Sequence, residues 1–103
     1  MTTTIINDHR AGIEALCRRY GVRRLDVFGS AIRDDFDPER SDVDFLVEFE
    51  PAPERDLFCD YMDLRGGLAS LLGREIDLVM VTAIRNRYFK AEVEATRELV
   101  YAA

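Results

Sequence analysis

The chain has 103 residues, 48% of them hydrophobic and 33% charged, the balance of an ordinary globular protein that stays in water. A net charge of −6 disfavours broad contact with a phosphate backbone, which needs clustered Lys and Arg to release counterions. No run approaches the roughly 18 apolar residues of a membrane span, and the start MTTTIINDHR lacks a secretory apolar core. The expectation is one cytoplasmic domain over residues 1–103, without a membrane or direct nucleic-acid partner. Cys17 and Cys59 lack paired spacing and His9 is the only histidine, which argues against zinc or a Cys-His nucleophile pair. Both cysteines lie in apolar helical surroundings and are expected to be reduced core thiols.

Residues 5–20 carry Ile6, Ile13, Leu16, Cys17 and Tyr20 at mostly helical spacing, and Gly21 is a fitting stop. RRLDVFG, residues 23–29, reads as a strand with Leu25 and Val27 on one face and Asp26 and Phe28 on the other. A short helix is expected after Ser30, then a loop through the acidic, proline-punctuated DDFDPER. Residues 42–49 alternate, with Val43, Phe45, Val47 and Phe49 opposite Asp42, Asp44, Leu46 and Glu48. Residues 56–72 read as a helix in which Gly66-Gly67 predicts a kink or close packing. EIDLVMV is a third strand, and 83–101 is expected to be a last helix with Ile84, Tyr88, Ala91, Ala95 and Leu99 in a stripe. The order α-β-α-β-α-β-α predicts an α/β (α+β) fold, a small sheet with helices packed against it.

Asp42 and Asp44, two apart on a strand, leave the same face about 7 Å apart. Carboxylates that close repel unless one is protonated or a cation lies between them, and Mg²⁺ suits that place. Asp77 is a third acid amid strand-forming residues, where aspartate is disfavoured without a role or an edge position. If its strand neighbours the second, three aspartates converge in the ligand set of a two-metal phosphoryl or nucleotidyl transfer. Gly29 allows close backbone approach and Ser30 can cap the helix that follows, where N–H groups would take nucleoside triphosphate phosphates. Arg33, one turn on, could reach the same phosphates.

At these residues the sequence resembles the DNA polymerase β-like nucleotidyltransferases. Their signature is Gly-Ser, about ten residues, then Asp-x-Asp; here it is Gly29-Ser30, eleven residues, and Asp42-Val43-Asp44. The length, the SDVDFLV segment beginning at Ser41, and the EIDLV strand look most like minimal nucleotidyltransferases (MNT), often encoded beside a HEPN-domain toxin. The resemblance is sharp over residues 27–47 and 75–79 and general in the helices. It implies a mixed sheet and catalytic aspartates at 42, 44 and 77 holding Mg²⁺, with two ions expected. It also implies nucleotide contacts at Gly29, Ser30, Arg33 and Ser41. The implied activity is transfer of AMP from ATP to a tyrosine hydroxyl of a HEPN RNase toxin in a hetero-oligomeric toxin–antitoxin pair. Asp77 would help to deprotonate that hydroxyl. The chain departs from many relatives at Ala31, where a basic residue is common, and its loop 34–39 is acidic.

Two other functions fit the same residues. The fold could neutralise a toxin by covering it, since an acidic protein suits a basic RNase surface. A small-molecule nucleotidyltransferase would need an additional helical domain for its acceptor pocket, which 103 residues do not supply. Asp26 and Glu48 share the aspartates' face and are expected to be solvated or structural, with an orienting role as the outside reading.

Overall fold

A computed structural model describes residues 4–29 and 43–103. Its centre is a mixed four-stranded sheet in the order β3-β2-β1-β4, with β1 at Val22–Phe28, β2 at Val43–Phe49, β3 at Ile76–Met80 and β4 at Glu98–Ala102. β1 runs antiparallel to β2 and β4, and β2 runs parallel to β3. The parallel step needs a crossover, which a helix supplies.

One sheet face carries the main core. Phe45 and Val47 of β2, Leu25 and Val27 of β1 and Leu78 of β3 pack beneath two helices, α2 at Arg10–Arg19 and α3 at Leu57–Leu72. A five-residue helix, α1 at Thr4–Asp8, adds the buried Ile6 to the same cluster. The β2 alternation read from the sequence thus sends its apolar face to α2 and α3. Phe45 is fully buried, which stabilises the fold by about 1.5–3 kcal/mol.

α3 is continuous through Gly66-Gly67, and of the two expected outcomes there, a kink or close packing, the second is found at Gly67. A Cβ on Gly67 would lie 2.9 Å from a Leu16 methyl of α2, and one on Gly12 of α2 would lie 2.9 Å from a Leu71 methyl of α3. Each helix therefore offers a glycine to the other's leucine, which lets the axes approach. α3 begins at Asp56, whose side chain accepts from Cys59 N–H, and ends at Gly73 in the left-handed conformation (φ 69°).

The end of the chain departs from the sequence expectation. The third strand stops at Met80, and Val81–Ala83 forms a 3-10 turn. The last helix, α4, spans only Arg87–Thr96; its N-cap Asn86 accepts from the N–H groups of Tyr88 and Phe89. Arg97 is extended, and Glu98–Ala102 forms β4 on the outer side of β1. The stripe Tyr88, Ala91, Ala95 and Leu99 is exposed, while Phe89 and Val93 face the sheet. Leu99, Val100 and Tyr101 suit either a helix stripe or a strand by pattern; pairing with a β1 that would otherwise be an edge decides for the strand. The two thiols also differ. Cys17 is buried, and burial pushes its pKa up to about 12, whereas Cys59 is exposed and not a core thiol.

Candidate functional site

The second face of the sheet is built differently. Here Phe28, Leu46 and Val93 are buried with Val79, Ile84 and Phe89 around them, and Asp26, Asp44, Glu48 and Asp77 share the face. Phe28 meets Phe89 edge to face, with ring centres 5.9 Å apart, and this contact seats α4 over the middle of the sheet.

At the open end of that face the register brings acids together. Asp44 pairs with Asp77 across the parallel β2–β3 step and with Phe28 across the antiparallel β2–β1 step. Adjacent strands lie about 4.8 Å apart and paired residues point to the same side, so the two carboxylates stand side by side. Asp44 is half-buried and Asp77 exposed. Gly29 closes the site from β1. Its φ of 70° lies in the left-handed region, and a Cβ there would stand 2.8 Å from Asp44 Oδ2. Any other residue would be strained by the backbone and would press on the carboxylate.

Of the residues expected at the site, Gly29, Asp44 and Asp77 come together at one end of one face. Ser30, Arg33, Ser41 and Asp42 lie outside the described residues, as do the helix expected after Ser30, the loop 34–39 and Ala31. Among the described residues no three metal-ligating side chains form a group. The Asp44–Asp77 pair nonetheless has the donor chemistry for Mg²⁺: hard carboxylate oxygens, side by side and of one charge sign, with Asp77 exposed, so a divalent cation would relieve their repulsion.

Asp26 shares this face, where the sequence predicts a solvated or structural residue. It is fully buried, and so not solvated. It accepts from Arg24 Nε at 3.2 Å and Arg97 Nε at 2.6 Å, with a second contact from the Arg97 guanidinium. Burial alone would lower the Arg97 pKa, but its hydrogen bonds to Asp26 and Glu94 outweigh that and hold it above the ordinary arginine value. Asp26 is thus the structural member of this face. Glu48, half-buried, sits 3.7 Å from Arg23 near the strand's far end.

Thr96 and Arg97 were not legible as parts of this region, because the sequence pattern ran the last helix through them. Thr96 Oγ1 accepts from Gly29 N–H at 3.2 Å and donates to Glu92 O at 2.9 Å.

The mixed sheet, the Gly29 turn at the end of β1 and the acids on β2 and β3 match a known domain type. A family model for the nucleotidyltransferase domain matches residues 10–100. The chain belongs to that family. The protein adenylyltransferase MntA of Thermococcus cleftensis is 37% identical over 98 residues, covering 95% of this chain and 89% of its own length. A solved structure of a minimal nucleotidyltransferase superposes with a TM-score of 0.70 at 30% identity, covering 95% of both chains. A solved complex of a tri-AMPylated Shewanella oneidensis HEPN toxin with its MNT antitoxin matches with a TM-score of 0.65 at 19% identity, over 95% of this chain and 73% of that one. The last likeness is one of fold. Among the described residues, no helix of this nucleotidyltransferase is long and apolar enough to cross a membrane.

Proposed function

We propose that this nucleotidyltransferase is a protein adenylyltransferase that moves AMP from ATP to a tyrosine hydroxyl of a HEPN-domain RNase toxin and silences it as its antitoxin. The observation that carries the reading is the juxtaposition of Asp44, Asp77 and Gly29 at one end of the sheet, inside a chain 37% identical to a protein adenylyltransferase. Asp42, Asp44 and Asp77 would hold Mg²⁺, which when bound would offset charge on the triphosphate and on the attacking oxygen. Gly29-Ser30 would hold the distal phosphates, with Arg33 and Ser41 as further nucleotide contacts.

The acceptor tyrosine oxygen attacks the α-phosphorus of ATP, a new P–O bond forms, and the bond to the bridging oxygen breaks to release pyrophosphate. Tyrosine has a pKa near 10, so its hydroxyl proton must leave, and Asp77 would help to take it. Its exposure suits that role, because the acceptor arrives on another chain.

The test is the intact mass of the HEPN partner after incubation with this protein, ATP and Mg²⁺. Whole AMP increments are expected with the wild type and none with Asp42→Asn or Asp44→Asn, while the complex still forms. Full transfer by both variants would sink the ligand assignment. A stable, inhibitory complex with no mass change from the wild type would replace catalysis with neutralisation by binding.

A further inference from the structure

Three successive attachments tie the end of β1 to α4. Arg97 grips the buried Asp26, Phe89 packs on Phe28, and the Thr96 hydroxyl receives Gly29 N–H. The third bears on the site, since Gly29 is the residue whose backbone abuts Asp44.

A threonine hydroxyl has one proton and two lone pairs. Here the proton is committed to Glu92 O one helical turn back, which turns a lone pair toward Gly29. The hydroxyl is therefore oriented by the helix backbone and not by its own rotation. Gly29 is buried, so an acceptor for its N–H is worth having in either state of the site. Glycine is also the residue with the most conformational freedom to lose, and at φ 70° a single hydrogen bond can select its geometry.

We infer that Thr96 is a positioning residue of this nucleotidyltransferase: its hydroxyl fixes the Gly29 end of the nucleotide-holding turn against Asp44 before the nucleotide arrives. The inference rests on the transfer function proposed above. It leaves the chemistry to the aspartates and gives Thr96 a share in affinity, because a turn already set need not be ordered when the triphosphate binds.

Thr96→Val keeps the shape and removes both hydrogen bonds. It should weaken equilibrium binding of MgATP, measured by calorimetry, and raise KM for MgATP by about tenfold. At saturating nucleotide kcat should change by less than about threefold. Thr96→Ser restores the hydroxyl and should return affinity to within about twofold of wild type. Thr96→Ala, a good helix former, is the second variant should the valine disturb folding, and the same loss of affinity is expected. Wild-type affinity in both the Val and Ala variants, or a Ser variant as weak as Val, overturns the role of Thr96 alone. Absence of MgATP binding by the wild type overturns it together with the proposed function.

Discussion

The two faces of the sheet are made from the same strands and serve opposite ends. On the α2–α3 face, β2 contributes Val43, Phe45 and Val47 to a continuous apolar cluster. On the α4 face the intervening residues are Asp44, Leu46 and Glu48, and only Leu46 joins a small cluster, with Phe28 and Val93. The strand's period of two thus separates stability from chemistry residue by residue. The lesson is that the sparsely packed face can carry like charges and a buried carboxylate because the other face supplies most of the burial that holds the sheet together.

Neighbouring substitutions should break the comparison most clearly. Asp44→Asn should lower AMP transfer by at least about a thousandfold, close to 4 kcal/mol in the barrier, with the denaturant midpoint nearly unchanged. A matching loss of stability would mean that Asp44 belongs to the fold and not to the site. Phe45→Ala, one residue along, should cost about 3–5 kcal/mol of unfolding free energy. In whatever fraction remains folded, the affinity for MgATP should persist. A midpoint like that of wild type would show that the core face is not where stability resides.

Asp26→Asn sharpens the contrast within the α4 face. It keeps the volume but removes the charge that Arg97 and Arg24 share, and should cost about 1–3 kcal/mol, measured by denaturant unfolding. The figure is moderate because both guanidinium groups keep some access to water. An unchanged or raised midpoint would show the buried pair to be dispensable for stability.

The effect that vanishes at neutral pH, and appears only in alkali, concerns Cys17. Burial raises its folded pKa from 9.0 to about 12, so the folded chain holds this proton where the unfolded chain has lost it. Its contribution is fully present below pH 9 and is lost as pH rises toward 12, at up to about 1.4 kcal/mol per pH unit. Cys17→Ala should flatten the stability curve across that alkaline window. An identical slope in the variant would assign the alkaline loss to other groups.

How much of this is legible in the sequence depends on the range of the forces involved. The alternation in β1 and β2, the amphipathic α2 and the Gly29-Ser30 and Asp-x-Asp spacing are local, and a chain's own periodicity carries them. By itself the sequence determined a small α/β protein with a polar strand face bearing aspartates, and through its motif a family. Tertiary structure decided what depended on partners far along the chain. Leu99, Val100 and Tyr101 became a strand because β1 had an unpaired side to offer them. Gly67 became a point of close helix packing because Leu16 of α2 occupies the space a Cβ would need. Asp26 became a buried ion-pair member because Arg97, 71 residues later, folds back over it. The neighbouring residue, Thr96, reaches Gly29 for the same reason. Side-chain hydrogen bonds and edge pairing are fixed by where α4 ends, and that boundary is set by sheet pairing, which no local pattern encodes.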